Sequence, residues 1–121
     1  MSKYVLKRGK GGYSFHLEAD NAEIIGNSEA YKALASAKKG IESIRRNADK
    51  CDIEDQTAEG YKIRTNPKFE IYRDGNKKYR FRMKAKNGQV VLLSPPCKDM
   101  DALKELITTV KKIAYRSKTE G

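Results

Sequence analysis

The chain has 121 residues, 38% hydrophobic and 35% charged, and its 26 Lys and Arg against 16 Asp and Glu give a formal net charge of +10. That length holds one domain, or two halves each too small to keep a core of its own, and the periodic apolar residues described below exclude a disordered chain. No apolar run approaches the ~20 residues that span a bilayer, the N-terminal MSKYVLKRGKGG lacks the apolar stretch of a secretory leader, and Cys51, Cys97 and a single histidine offer no chelating spacing, which predicts a cytoplasmic protein with free thiols, no membrane contact, no metal and no cofactor.

Tyr4 to Arg8 and Tyr13 to Ala19 alternate apolar and polar residues, the period-two signature of half-buried strands, and are joined by Gly9-Lys10-Gly11-Gly12. A third short strand, Glu23 to Gly26, follows Asp20-Asn21-Ala22. The period then changes to about 3.6: Leu34, Ala37, Ile41, Ile44 and Ala48 share one face of a helix from Ala33 to Ala48. Gly40 in mid-helix costs about 1 kcal/mol relative to Ala, which predicts close backbone packing there. Cys51 to Arg64 carries two short alternating stretches, around Ile53 and around Tyr61 and Ile63, one of which forms a further strand.

The same order returns. Phe69 to Arg73 and Tyr79 to Ala85 alternate around the turn residues Asp74-Gly75-Asn76, and Asn87-Gly88 predicts a two-residue hairpin leading into Gln89 to Leu93. Pro95-Pro96 forbids an early helix start, Asp99 is placed to cap the free amides of a first turn, and Leu103, Leu106, Ile107, Val110, Ile113 and Ala114 form one stripe between Met100 and Tyr115.

The two halves superpose residue by residue. Lys3 to Arg8 lies over Lys68 to Arg73, and after one extra residue in the next turn Tyr13 meets Tyr79, Phe15 meets Phe81, Leu17 meets Met83, Ser28 meets Ser94, Ile41 meets Ile107 and Ala48 meets Ala114. Neither half buries enough surface alone. The expected fold is α+β: tandem β-β-β-α(-β) repeats, 3–55 and 67–115, sharing one antiparallel sheet with both helices on one face. The chain is then a single domain over 1–121, a monomer that forms an internal pseudo-dimer about an approximate twofold.

Lys68-Phe69-Glu70-Ile71-Tyr72-Arg73, followed by Tyr79 to Val91, resembles the strand signature of the YegP-like family, the domain of unknown function 1508, also called uncharacterised protein family UPF0339. Gly40 to Ala48 is similar to that family's helix ending. The resemblance spans both copies and implies tandem strand-strand-strand-helix-strand motifs that exchange their last strands; it implies no reaction and no cofactor. The chain departs from the family pattern at Ser28-Glu29-Ala30-Tyr31 and Ser94-Pro95-Pro96-Cys97, where the family usually has Ser, any residue, Gly, Tyr. Arg116 to Gly121 carries no obvious final strand, so the exchange is expected to be one-sided.

Arg80, Arg82, Lys84 and Lys86 fall on one face of a strand whose other face is core, with Tyr72 beside them, a pattern that can hold phosphates and stack a base. The bland alternative is a solvated sheet face. Together with the net charge, the ladder predicts a non-enzymatic module binding nucleic acid or another polyanion. The alternative is a structural or protein-interaction domain using the edge left open by the missing strand, with a protein as its partner. Enzymatic function has little to stand on. His16 has only Glu18 nearby on its strand and reads as an exposed histidine, Cys97 before a helix reads as a small apolar substitute for Tyr31, and Gly9-Lys10-Gly11-Gly12 lacks the spacing of a phosphate loop.

Overall fold

Every alternating run outside the linker becomes a strand, and each 3.6-period run a helix. The computed structural model describes residues 1–121. In chain order it contains β1 (Lys3–Gly9), β2 (Gly12–Glu18), β3 (Ile24–Asn27), α1 (Leu34–Asn47), β4 (Asp52–Asp55), β5 (Lys68–Arg73), β6 (Tyr79–Lys84), β7 (Val90–Leu93), α2 (Met100–Ile113) and β8 (Lys118–Glu120). The strands form one sheet in the order β4-β5-β6-β7-β3-β2-β1-β8. Two four-strand blocks of the same design therefore meet where β3 pairs with β7, at Asn27 and Leu93.

The sheet is mixed, which corrects the all-antiparallel expectation. β4 runs parallel to β5 and β8 parallel to β1, because each repeat sends the strand that follows its helix across to the first strand of the other repeat. Parallel neighbours need a long return connection, and residues 56–67 supply it between β4 and β5. The exchange is also two-sided. Lys118-Thr119-Glu120 pairs with Lys3-Tyr4-Val5, although it carries no apolar residue that would announce a strand; backbone pairing and the 3.0 Å contact from Lys3 Nζ to Glu120 Oε2 hold it at the edge. In the linker, the Ile53 stretch is the strand, and Tyr61 and Ile63 lie outside any strand. At Asn87-Gly88 the turn is a three-residue loop, Lys86 to Gly88, closed by the Ala85 N–H donating to Gln89 O at 2.9 Å; of the loop residues only Gly88 takes a positive φ, of 85°.

Both helices pack on the same face and share one core, in which Tyr4, Phe15, Leu17, Ile41 and Ile44 of the first repeat meet Phe69, Phe81, Met83, Ile107 and Val110 of the second. The helices are braced reciprocally. Arg45 Nη2 donates to Ser117 O at 2.8 Å and, at the equivalent place, Lys111 Nζ donates to Cys51 O at 2.7 Å. Asp99 caps α2 as expected, its Oδ1 accepting from Ala102 N at 2.8 Å, while Ala33 leaves α1 uncapped.

α1 packs closely at Gly40: a Cβ there would stand 2.5 Å from Tyr31 Oη and 3.3 Å from Phe15. The second repeat exchanges the sizes, with Leu106 on the helix and Cys97 in place of Tyr31, so a large and a small residue fill each site in opposite arrangements. No helix is long and apolar enough to cross a membrane.

Candidate functional site

The hairpin register puts Tyr72 opposite Arg80, Glu70 opposite Arg82 and Lys68 opposite Lys84, so all six share the sheet face away from the helices. The cations of this face are paired. Glu70 takes Arg82 Nε, Lys84 Nζ at 3.3 Å and Lys68 Nζ at 3.0 Å, and Lys68 also reaches Glu54 Oε1 at 2.7 Å. Arg82 donates to Gln56 Oε1 at 3.2 Å and stacks its guanidinium 4.4 Å over the Tyr72 ring. Arg80 donates to Ser94 O at 2.9 Å and lies 3.8 Å from Asp74.

Glu54, Lys68 and Glu70 are buried, at 2%, 6% and 3% exposure. Burial works to raise the Glu54 carboxyl, but Lys68, Gln56 and the Arg64 N–H all donate to it and hold it down at about 2. Burial likewise opposes ionisation of Glu70, and Arg82, Lys68 and Lys84 overcome it, so that carboxyl also sits below its ordinary value.

Lys86 does not continue the ladder. β6 ends at Lys84, and Lys86 sits in the following loop, where it lines a groove beside α1. The partners of Arg82 and Lys84 escaped the sequence reading, although one signal was present: a hairpin turning at Asp74-Gly75-Asn76 sets Glu70 against Arg82. Glu54 carried no such signal, because it arrives on an exchanged strand.

His16 is buried at 6% exposure, correcting the expectation of an exposed side chain; Nε2 lies 2.7 Å from Glu18 Oε2 and Nδ1 has no partner. The dyad includes no nucleophile. Burial pushes the Cys97 thiol pKa up, Asp99 and Glu23 add to the effect, and Arg80 only partly opposes it. Burial also pushes Cys51 up to about 11. No three His, Cys, Asp or Glu side chains gather where a metal ion could be held.

The pseudo-twofold makes two related grooves, each between one repeat's helix and the hairpin loop of the other. Beside α1, Lys39, Arg46 and Lys50 face Lys86 and Asn87, with Glu42 the one carboxylate. The groove continues past Ser36 and Gly40 to Lys32, Tyr31 and Gln89. Beside α2, the equivalent groove is lined by Asp20, Glu23, Glu105, Lys112 and Arg116 with Ile24, Pro95, Pro96 and Leu106. Lys39, Lys50 and Lys86 form no ion pair, and Arg46 approaches only Glu42, at 3.8 Å; in the other groove Arg116 is bound to Asp20 at 3.1 Å.

With this geometry in view, the sequence profile described as Domain of unknown function (DUF1508) matches residues 10–55 and again 74–119. The chain belongs to the DUF1508 family. A UPF0339 protein of Pseudomonas aeruginosa is 41% identical over 91 residues, 74% of this chain and 69% of its own length. The UPF0339 protein YegP of Yersinia pestis is 37% identical over 113 residues, 93% of this chain and 88% of its own. The solution NMR structure of YegP from E. coli, described as a protein of unknown function, superposes with a TM-score of 0.79 at 24% identity, covering 98% of this chain and 90% of that one. This last likeness establishes the DUF1508 fold alone.

Proposed function

We propose that this DUF1508 protein is a non-catalytic cytoplasmic module that binds nucleic acid or another polyanion. The observation that carries the reading is the convergence of Lys39, Lys50 and Lys86, none of them ion-paired, on one groove with Arg46. Unpaired cations that face each other across a concave surface raise the local anion concentration and release counterions when a polyanion binds. On the sheet face Arg80, Arg82 and Lys84 are paired with Asp74 and Glu70, and the Tyr72 ring is covered by the Arg82 guanidinium, which leaves this face less to offer a ligand. Lys86 is the member of the sequence-predicted set that belongs to the groove.

The raised pKa of Cys97 and the unaided His16–Glu18 pair favour the absence of catalysis. The competing reading, a protein partner added at a sheet edge, has β4 and β8 to work with, of four and three residues; edges that short give a partner few backbone groups. The test is titration of labelled oligonucleotides at several salt concentrations, together with the ratio of absorbance at 260 and 280 nm before and after a high-salt wash. Binding that weakens steeply with salt is expected. Binding that is absent at low salt, or indifferent to salt, would overturn the reading.

A further inference from the structure

Resting on that reading, we propose that the groove between α1 and the β6–β7 loop holds the phosphate backbone of duplex nucleic acid and does not read unpaired bases. The fold makes this groove twice, yet Lys39 corresponds to Glu105, Lys86 to Asp20 and Gln89 to Glu23, and the neutral Gly40 and Asn47 correspond to the apolar Leu106 and Ile113. Arg46 and Lys50 keep basic counterparts, Lys112 and Arg116, so the groove beside α2 is mixed in charge; what the fold does not impose are the cations Lys39 and Lys86, which the α1 groove alone has at those positions.

Lys39, Arg46 and Lys50 follow one another along α1 and the turn after it, over about 16 Å of rise at 1.5 Å per residue. That is the axial rise of about five nucleotides of one strand at 3.4 Å each. Lys86 stands on the opposite wall. Arg46 and Lys50 also lie at the negative end of the helix dipole, which by itself favours cations there. That cause does not extend to Lys39 in mid-helix or to Lys86 on another element.

Proteins that hold single strands stack the bases on exposed aromatic rings. Tyr31 is the one aromatic residue lining the groove, and its ring is buried, stacked on Phe15 at 6.2 Å and 11°, with its hydroxyl turned against Gly40. What the groove exposes besides charge is Asn87, Gln89 and Ser36, short polar groups suited to phosphate oxygens.

The experiment is fluorescence anisotropy of the full chain with a labelled duplex, the corresponding single strand, and heparin as a sulfated polyanion without nucleotides. Lys39→Glu, Lys86→Glu is compared with Lys104→Glu, Lys112→Glu, which removes the same charge from α2. Four phosphate contacts predict a slope of log affinity on log salt of about −3.6 for the duplex. The groove variant is expected to lose at least tenfold in affinity and to halve that slope, with Lys39→Gln, Lys86→Gln intermediate, while the α2 variant stays within about threefold of wild type. Equal loss in both double variants would overturn the assignment to the groove but leave polyanion binding standing. Tighter binding of the single strand than the duplex would overturn the ligand class, and heparin displacing nothing would exclude a charge-based site. No binding of any polyanion by wild type would remove the underlying reading itself.

Discussion

The pseudo-twofold sets Lys68–Glu54 and Lys3–Glu120 in equivalent positions, each joining a repeat's first strand to the strand received from the other repeat. One pair is buried, at 2.7 Å with side chains 8% and 2% exposed; the other lies open, at 3.0 Å with 34% and 64%. The neighbours make the difference. Glu70 and Arg82 flank Lys68 where Val5 and His16 flank Lys3, and Gln56 and the Arg64 N–H close over Glu54 while Glu120 remains exposed. A contact drawn from the same pattern is thus a solvated ornament at one edge of the sheet and a buried ionic cluster at the other. Their worth differs because breaking a buried pair strands a charge out of water, whereas an exposed charge returns to it.

The largest expected effect tests that contrast directly. Lys68→Met leaves Glu54 and Glu70 facing each other in the interior and is expected to cost about 3–5 kcal/mol of unfolding free energy, measured by urea denaturation. Because Arg82 and Lys84 are about 30% exposed and still reach Glu70, the lower end of that range is the better expectation. The equivalent Lys3→Met should leave the urea midpoint where it was. Similar shifts for the two variants would erase the distinction between the edges.

How far the sequence revealed these edges follows from the same chemistry. The repeat, the six long or strongly patterned strands and both helix faces were legible because buried apolar side chains impose periods of two and 3.6. Asp99 was legible as a cap for a different, local reason, a carboxylate placed to accept from a free first-turn amide. β8 was not, since Lys118-Thr119-Glu120 buries nothing and exists by pairing its backbone with β1. The basic ladder was visible as a pattern, but its neutralisation depends partly on Glu54, a long-range partner delivered by strand exchange, and Lys86 left the ladder because the loop after β6 turns it towards α1. The buried His16 is similarly a product of tertiary surroundings that a single strand does not disclose.

A second, smaller contrast lies between the helices. Gly40→Ala gains about 1 kcal/mol of helix propensity, yet its new methyl would stand 2.5 Å from Tyr31 Oη, so a net loss of about 1–3 kcal/mol is expected from thermal or urea unfolding. The Tyr31 hydroxyl is buried without a hydrogen-bond partner. Removing it in Tyr31→Phe should therefore be neutral or stabilising, and Gly40→Ala should cost less in that background than in wild type. An unchanged cost would place the constraint on the two rings instead, Cζ of residue 31 at 3.1 Å and Phe15 at 3.3 Å. At the equivalent site of α2, Leu106→Ala opens space beside Cys97 rather than closing it, so its loss should not be relieved by Cys97→Ala.

The smallest effect separates the two edges by pH. The Glu54 carboxyl titrates at about 2 in the folded chain against an ordinary 4.5, so as pH falls the unfolded chain takes up its proton first. The stability Glu54 contributes is therefore complete above about pH 4.5 and is lost progressively as pH drops towards 2, and Glu70, lowered by its three cations, acts in the same direction. Urea midpoints at about pH 6 and pH 3 should fall in parallel for wild type and Glu120→Gln, with the acidic groups elsewhere in the chain contributing a shared background. Glu54→Gln should start lower and fall less, because its amide cannot be protonated in that window. If Glu120→Gln flattened the acid loss as much as Glu54→Gln, the open pair would be coupled to folding as strongly as the buried one, and exposure would no longer explain why the two edges differ.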